Sequence, residues 1–265
     1  MASVARIGWR MLDDIAAALL EPASNGFEVH YQPIFCLKTR TAVAVEALAR
    51  WRHPVAGDID PEVFVLAAAR AGAMAALDDF VLERVCADAP ALADVLDVAA
   101  DIHVNICAER LVQPSLESSI VRAIDELQLA PNRLVLEITE TSRIGDLSAA
   151  AAAMHRIRKR GVRFALDDFG SGFNMLVHFH ALPVDCIKLD AALTCLESNP
   201  VRTESVCRSV LTICEHVGAT VIAEGIETRP QLQMLVKLGC SLGQGHFFGR
   251  AESLQMLRDS AWDES

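Results

Sequence analysis

The stretch FEVHYQPIFCLKTRTAVAVEAL, residues 27–48, contains two β-rich apolar runs that are separated by a very short link. Residues 27–33 form the first predicted strand and residues 41–48 the second, with only the seven residues IFCLKTR between them. A crossover between parallel strands needs about a dozen residues or more. The first two strands are therefore expected to pair antiparallel.

Six more short apolar runs follow, each with the length and composition of a buried strand. These predicted strands are residues 102–106, 133–139, 163–168, 186–190, 220–226 and 241–248. The helix-like segments between them are residues 61–88, 109–128, 147–160, 201–217 and 229–238. Alternating strands and helices indicate an α/β fold, and eight strands favour a modified (β/α)8 TIM-like barrel with an antiparallel first strand. An open doubly wound sheet is the alternative with similar elements.

Most of the predicted strands end in a charged or amide side chain. Taken alone, an acid such as Glu46 at a strand end is more often a helix cap or one half of a salt bridge. In a barrel, however, the carboxyl ends of all strands gather at one rim, where catalytic groups lie, so the repetition favours a shared site. The residues in these positions are Glu46, Asn105, Glu137, Glu140, Asp167, Asp168, Lys188, Asp190, Glu224, Glu227 and Gln244.

Converging carboxylates repel one another, and a bound cation removes that penalty. Carboxylate and amide oxygens without nearby His or Cys ligands are typical of a site for Mg²⁺ or Mn²⁺ rather than Zn²⁺. The set exceeds what one Mg²⁺ needs, because that ion keeps several waters. Two cations bridged by an Asp fit the pattern better, and such sites suit in-line hydrolysis of phosphodiesters.

Lys188 lies among these acids and has two candidate chemical roles. It can orient the water that attacks phosphorus, or take part in proton transfer. The competing role is a Schiff base, which needs a lysine of depressed pKa, whereas neighbouring acids raise the pKa of an ammonium group.

The composition restricts the partners and the location of the protein. Its 265 residues suit one large domain, and a net charge of −11 argues against binding to a DNA or RNA backbone. Eight cysteines without C-x-x-C spacing predict reduced thiols in a reducing compartment. Residues 1–20 are typical of an amphipathic helix, and no apolar run reaches the roughly 20 residues that span a bilayer. A soluble, cytoplasmic protein without a membrane partner is expected.

Several sequence blocks resemble those of the EAL-domain family, the cyclic di-GMP phosphodiesterases of bacterial second-messenger signalling. The tripeptide that names the family stands at residues 46–48 within VEALARW, and the resemblance runs from about residue 10 to residue 258. It implies a single EAL phosphodiesterase domain over residues 1–265, with an antiparallel first strand, two Mg²⁺ or Mn²⁺ ions, and hydrolysis of c-di-GMP to linear pGpG. The other blocks are YQPI, HVNI, LEITET, ALDDFG, PVDCIKLD, VIAEGIET and GCSLGQG.

The resemblance also implies roles for individual residues at the catalytic centre. Lys188 is similar to the lysine that helps to activate the water, and Gln244 to the glutamine near that water. Glu140 matches the glutamate that anchors the loop after the fifth predicted strand. The implied metal ligands are Glu46, Asn105, Glu137, Asp167, Asp168 and Glu224, of which Glu46 and Glu224 also belong to the implied catalytic set.

Three further residues resemble groups that bind the substrate. Gln32 and Arg50 look like substrate contacts, and the guanidinium of Arg50 can pair with a phosphate oxygen. Glu227 resembles a further acid of the active site. His246 stands where the family usually has an aromatic residue, and it is expected to be a neutral histidine of the core.

The loop after the fifth predicted strand departs from the family pattern. The chain has DDFGSGFNML at residues 167–176, where D-D-F-G-[ST]-G-Y-S-S-L is usual. This loop supports metal binding and dimer contacts in the family, so a homodimer through it is a candidate assembly. Its changes favour a second hypothesis, a catalytically weak EAL domain that acts as a c-di-GMP receptor or protein-interaction module. A different divalent-metal barrel enzyme, such as an enolase-type lyase, is a third.

Overall fold

The computed structural model describes residues 9–96, 100–126, 129–139, 144–170, 175–195 and 199–259, with the backbone alone at residues 9–13, 139 and 175. Its strands form one sheet that begins with β1 (Phe27–Cys36) and β2 (Ala42–His53). The other strands in the described ranges are β3 (Gly57–Ile59), β4 (Asp101–Asn105), β5 (Leu134–Thr139), β6 (Arg163–Phe169), β7 (Cys186–Leu189), β8 (Thr220–Ala223), β9 (Leu242–Gly243) and β10 (Glu252–Ser253).

Eight of these strands close into a barrel. β1 pairs antiparallel with β2 on one side and with β9 on the other. From β2 through β4, β5, β6, β7 and β8 to β9, each strand pairs parallel with the next. The prediction of a modified (β/α)8 barrel with an antiparallel first strand is confirmed, and the open doubly wound sheet is excluded. The two strands that the sequence did not predict, β3 and β10, extend the edges of β2 and β1.

Helices cover the outside of the barrel, and several begin at a side chain that accepts a backbone N–H. Asp60, Asp146, Asn199 and Thr228 each do so, which satisfies a group that the helix itself leaves unpaired. The helices in the described ranges are α1 (Trp9–Ala18), α2 (Pro61–Arg70), α3 (Met74–Leu96), α4 (Pro114–Asp125), α5 (Leu147–Arg158), α6 (Met175–Ala181), α7 (Ala191–Thr194), α8 (Pro200–Val217), α9 (Arg229–Lys237) and α10 (Leu254–Asp259). None of them combines the length and the hydrophobicity that a bilayer-spanning segment needs.

Several helices and strands begin or end at residues other than those predicted, for local backbone reasons. The segment 61–88 is two helices, because Gly72 takes a φ of 69° after α2, and α3 then continues to Leu96. The segment 109–128 starts as a 3-10 turn over Ala108–Val112, and Pro114 begins the α-helix. The last predicted strand, 241–248, is reduced to β9.

The barrel interior is layered, and this layering positions the site. A cluster of buried apolar residues, here called the inner layer, consists of Ile34, Ala44, Val135, Ala165, Cys186 and Ile222. Successive side chains of a strand alternate between the two faces of the sheet, so the residue two positions further on also points inward. That residue is polar on four strands and just past the end of β8: Glu46 follows Ala44, Glu137 follows Val135, Asp167 follows Ala165, Lys188 follows Cys186, and Glu224 follows Ile222.

Candidate active site

The ammonium group of Lys188 forms the centre of the candidate site. Lys188 is 1% exposed, and carboxylates from four other strands or strand ends surround it. Its Nζ lies 3.0 Å from Glu46, 2.9 Å from Glu137, 3.1 Å from Asp167 and 3.0 Å from Glu224. We call these five residues the rim cluster. Four carboxylates facing one ammonium group leave an excess of negative charge inside the barrel when all are ionised.

Side-chain amides hold Glu46 on both of its oxygens. Asn105 Nδ2 donates to Glu46 Oε1 at 2.8 Å, and Gln244 Nε2 donates to Oε2 at 2.6 Å. Because Asn105 uses its amide nitrogen here, its Oδ1 remains available as a ligand atom. Gln244 Nε2 also lies 3.3 Å from Gln32 Oε1. The structure therefore brings Gln32, Asn105 and Gln244 to the rim cluster, as the sequence predicts.

Asp167 and Asp168 are consecutive in β6, yet both reach the site. Consecutive residues of a regular strand point to opposite faces. Here Asp168 has a φ of 55°, and the β6–β7 register shifts between Leu166 and Phe169. This irregularity turns Asp168 toward its neighbours, so that oxygens of Asp167, Asp168 and Glu224 lie within 4.8 Å of one another. A positive φ at a non-glycine residue is uncommon, and such strain is concentrated at functional sites.

Asp167 belongs to two groups of carboxylates that could each hold a cation. One group is Glu46, Glu137 and Asp167, and the other is Asp167, Asp168 and Glu224; the ligand atoms of each lie within 4.8 Å of one another. The sequence-based expectation of two cations bridged by an Asp would require such a shared residue, and Asp167 is common to both groups. All of these donors are oxygens, which suits a hard divalent cation.

Burial and mutual repulsion raise the pKa of most of these acids. Burial, against the opposing effect of Lys188, raises the pKa of Glu137 well above its usual range and that of Glu224 to about 8. It likewise raises the pKa of Asp167, and together with the charge of Asp167 it raises the pKa of Asp168 to about 6. Without a cation, the site therefore disfavours the simultaneous ionisation of all its carboxyls.

Glu46 and Lys188 are the charged pair that the site keeps ionised. Burial opposes the ionisation of Glu46, but Lys188 and the hydrogen bonds from Gln244 and Asn105 outweigh it and lower the pKa to about 2. For Lys188, burial favours the neutral amine, whereas the surrounding carboxylates raise the pKa well above its usual range. A buried lysine of raised pKa does not suit a Schiff base.

Two buried oxygens in this region show that the residues fit a cationic or water ligand. Asp167 Oδ1 is close to Lys188 but outside hydrogen-bond geometry, and Gln244 Oε1 has no hydrogen-bond partner within the described ranges. Buried polar atoms are normally paired, and one without a partner is costly. A carboxylate oxygen is a ligand for a divalent cation, and an amide oxygen can accept a hydrogen bond from water.

His103 is a residue of this site that the sequence analysis missed. It is on β4, two positions before Asn105, and its Nδ1 lies 2.7 Å from Glu137 Oε1. His103 is 4% exposed. Burial, followed by the charge of Lys188, lowers the pKa of His103 to about 3, so the ring is neutral at neutral pH. The feature of the sequence that could have indicated this residue is a polar side chain inside the apolar run IHVNI.

Two of the three predicted substrate-binding residues, Gln32 and Arg50, lie along the ribbon formed by β1 and β2. Gln32 pairs with Glu46 in the register, and Arg50 pairs with Glu28 further from the barrel. Gln32 Nε2 donates to the carbonyl of Gly249 at 3.3 Å. Arg50 donates to the carbonyl of Ala49 at 2.9 Å and lines a cleft of about 600 Å³. Ligand clefts commonly have a volume of about 300–1,000 Å³.

The remaining strand-end residues have other placements. Glu227 is outside the rim cluster, with its Oε1 3.6 Å from Nδ1 of His246. The expectation of a core histidine at position 246 is wrong: its side chain is 49% exposed, and the residue lies in the turn at 246–248 that follows Gly245. Asp190 caps α7 through a 2.7 Å bond from Ala192 N. Glu140 and loop residues 171–174 lie outside the described residues.

With this geometry established, comparison with known proteins gives the family. A family model described as the EAL domain matches residues 13–251. The chain belongs to the EAL-domain family. The predicted resemblance is thereby confirmed, and the match covers every element of the barrel from β1 to β9.

Curated relatives of this EAL domain include cyclic di-GMP phosphodiesterases. The cyclic di-GMP phosphodiesterase NbdA of Pseudomonas aeruginosa is 33% identical over 250 residues, which cover 94% of this chain and 32% of the relative. The cyclic di-GMP phosphodiesterase PA2567 of the same organism is 33% identical over 235 residues, covering 89% of this chain and 40% of the relative. The chain thus spans between about a third and two fifths of the length of these relatives.

Solved structures agree with the fold. The structure of the PaMucR phosphodiesterase in complex with c-di-GMP has a TM-score of 0.84 and 28% identity, covering 94% of this chain and 99% of that chain. The EAL enzyme Bd1971 in its cAMP-bound form has a TM-score of 0.85 and 25% identity, covering 94% of this chain and 70% of that chain. The EAL barrel described above is shared with both.

Proposed function

We propose that this EAL domain is a metal-dependent phosphodiesterase that hydrolyses c-di-GMP to linear pGpG. The observation that carries the proposal is the pair of carboxylate groups that share Asp167 beside Lys188, inside a barrel whose curated relatives include cyclic di-GMP phosphodiesterases. Unlike a receptor that has lost its chemistry, this site retains every predicted ligand residue, all of them within the described ranges.

The proposal assigns two Mg²⁺ or Mn²⁺ ions to the site. When bound, the cations would neutralise the acids, polarise the phosphodiester and lower the pKa of the attacking water. The residues that would hold them are Glu46, Asn105, Glu137, Asp167, Asp168 and Glu224.

Hydrolysis adds the oxygen of one water to phosphorus and breaks one P–O bond of the cyclic dinucleotide. Lys188 is held as an ammonium by its acidic neighbours, and it would orient the attacking water through an N–H that bound cations release from one of these carboxylates. The buried Oε1 of Gln244 accepts a hydrogen bond from the same water, while its Nε2 is fixed on Glu46 at 2.6 Å. These two residues position the nucleophile.

Gln32 and Arg50 are proposed to hold the substrate on the ribbon of β1 and β2. The guanidinium of Arg50 would pair with a phosphate oxygen of the dinucleotide. Glu227, exposed beside His246, is proposed as a further substrate contact.

We further propose that the domain is cytoplasmic and forms a single EAL unit. Free thiols at all eight cysteines support a cytoplasmic location. One EAL domain with its core at about residues 10–258 is part of the proposal, and the family match to residues 13–251 supports it. The homodimer through the loop after β6 and the anchoring role of Glu140 rest on the family resemblance and stay predictions.

The test is incubation of the purified protein with c-di-GMP and either Mg²⁺ or Mn²⁺, followed by chromatographic detection of pGpG. We expect turnover that EDTA stops and that Glu46→Ala abolishes. Asp101→Asn is the matched control, since Asp101 lies at the opposite end of the barrel, at the start of β4, and pairs there with Arg163. It should retain turnover.

Two results would contradict the proposal. Tight binding of c-di-GMP without product under either metal would favour the receptor, the second hypothesis from the sequence. Turnover that survives EDTA would exclude metal-dependent hydrolysis.

A further inference from the structure

β4 differs from its neighbours in the inner layer of the barrel. On five other strands, the residue two positions before the polar group of the site is apolar or a buried cysteine, and these five residues belong to one cluster. On β4 the corresponding residue is His103, two positions before Asn105. The register places His103 directly between Glu46 on β2 and Val135 on β5.

Burial of a polar imidazole ring in this layer costs free energy unless the ring is hydrogen-bonded. His103 is 4% exposed, and its Nδ1 lies 2.7 Å from Oε1 of Glu137, which is itself fully buried. The ring is therefore paired with one specific carboxylate, which is a proposed metal ligand.

The two oxygens of Glu137 have separate partners. Oε1 faces His103, whereas Oε2 lies 2.9 Å from Nζ of Lys188, on the side of the rim cluster. Glu137 must be ionised to bind a cation, so in that state Oε1 accepts and the Nδ1–H of His103 donates. This hydrogen bond fixes the rotation of the carboxylate and leaves Oε2 as the oxygen that meets the site.

We propose that His103 is a positioning residue that orients Glu137 as a single-oxygen ligand for a divalent cation. The inference rests on the proposed function, and it assigns to this chain an outer partner of the metal site. Outer partners of this kind typically change metal affinity or activity by about 10–100-fold when removed.

The test measures binding of Mn²⁺ alone, by an electron paramagnetic resonance titration of the whole protein without nucleotide. His103→Leu should raise the Mn²⁺ Kd by about 10–100-fold. His103→Asn should stay within about 3-fold of the wild type, because the Asn amide can place an N–H near the position of Nδ1. With saturating Mn²⁺, kcat of His103→Leu should fall while KM for c-di-GMP is unchanged.

Tyr31→Phe provides the matched control. Tyr31 is also fully buried in the sheet and donates one hydrogen bond to a carboxylate, at 2.7 Å to Asp88, but it does so on the outer face against α3. Its loss should lower Tm without changing Mn²⁺ affinity. A merely structural role for His103 predicts the same pattern for His103→Leu.

The possible outcomes separate this inference from the proposed function. If folded His103→Leu binds Mn²⁺ as tightly as the wild type, the positioning role is wrong while the proposed function stands. If His103→Leu does not fold, His103→Ala replaces it in the test: an Mn²⁺ Kd raised about 10–100-fold supports the positioning role, and an unchanged Kd overturns it. Failure of the wild-type protein to bind Mn²⁺ would overturn the proposed function and, with it, this inference.

Discussion

Two buried clusters of charged side chains lie close to β4, and they differ in how their charges are balanced. In the first, which we call the Arg110 cluster, Arg110 is 2% exposed and lies in the 3-10 turn after β4, with its guanidinium against α3. Its guanidinium is 3.3 Å from Asp78 and 2.9 Å from Asp79, and Ser119 donates to Asp79 at 2.8 Å. The second is the rim cluster, with four carboxylates around the ammonium of Lys188.

The two clusters differ chiefly in net charge and in the number of hydrogen-bond donors that face their carboxylates. The Arg110 cluster joins two carboxylates, one of them partly exposed, to a guanidinium with several donors, and the backbone N–H of Cys107 also donates to Asp78 at 3.2 Å. The rim cluster has twice as many carboxylates and one ammonium with three donors. The first arrangement fastens a helix to a turn, whereas the second has a charge excess that a cation would neutralise.

The largest effect is expected for Lys188→Met. Removal of the ammonium leaves four carboxylates in the barrel without their counter-charge, so metal-free protein should lose about 3–5 kcal/mol of unfolding free energy. Hydrolysis of c-di-GMP should fall at least about 1,000-fold, equal to about 4 kcal/mol of barrier. Thermal unfolding and pGpG formation measure the two quantities.

Mn²⁺ is the control for this variant. If the cost is excess negative charge, Mn²⁺ should restore much of the lost Tm but not the activity. A variant that Mn²⁺ leaves equally unstable would show that Lys188 packs the barrel and does not balance charge.

Arg110→Leu should be the next largest effect. The substitution leaves Asp78 buried without its cation. Because burial raises the pKa of Asp78 to about 7, this carboxyl can take up a proton, and the loss of unfolding free energy is limited to about 3 kcal/mol. For a domain of this size that corresponds to a Tm lower by roughly 6–12 °C. Calorimetry should detect this loss with and without Mn²⁺. If Mn²⁺ restored the Tm of Arg110→Leu as much as that of Lys188→Met, the two clusters would not differ in charge balance.

Mn²⁺ should stabilise the wild-type protein. A ligand at about 100 times its Kd adds about 2.7 kcal/mol to the unfolding free energy, or roughly 5–10 °C in Tm. Differential scanning fluorimetry with increasing Mn²⁺ measures the rise, and Glu137→Gln should reduce it. An unchanged Tm in the wild type would indicate that the rim cluster does not bind this cation.

Much of the fold and of the rim cluster follows from the sequence alone. The seven-residue link forces the antiparallel β1–β2 pair, because no parallel crossover is that short. Glu46, Glu137 and Glu224 converge because parallel strands end at one rim and alternate residues point inward. These are local rules, and they need no knowledge of which strands are neighbours.

What the sequence could not predict depends on contacts between distant elements. His103 and Arg110 lie in segments that suggest an ordinary core strand and a solvated helix, and their partners Glu137 and Asp78 are about thirty positions away along the chain. The partners of His103 and Arg110 can be identified only once the register of β4 and the packing of α3 are known. The positive φ of Asp168 likewise depends on the local irregularity between β6 and β7.

The smallest predicted effect is a dependence of stability on pH between about pH 6.5 and 8.5, where both clusters contribute. Burial raises the pKa of Glu224 to about 8 and that of Asp78 to about 7 in the folded, metal-free protein. The folded state therefore holds protons that the unfolded chain has already lost, and this stabilisation disappears as pH rises through the folded pKa values. His103 does not oppose the trend, because its pKa is lowered to about 3 and the unfolded ring loses its proton near pH 6.5.

We expect Tm of the metal-free protein to fall by a few degrees across this window, in a calorimetric series in EDTA. Mn²⁺ should flatten the fall, since a cation binds the ionised carboxylates and becomes a stronger ligand as pH rises. In Asp78→Asn the remaining slope should come from the rim cluster, and Mn²⁺ should then remove nearly all of it. The fall of Tm with pH could instead disappear in Asp78→Asn and be unchanged by Mn²⁺ in the wild type. That result would assign the pH dependence to the Arg110 cluster, and it would mean that the charge excess of the rim cluster has no effect on stability.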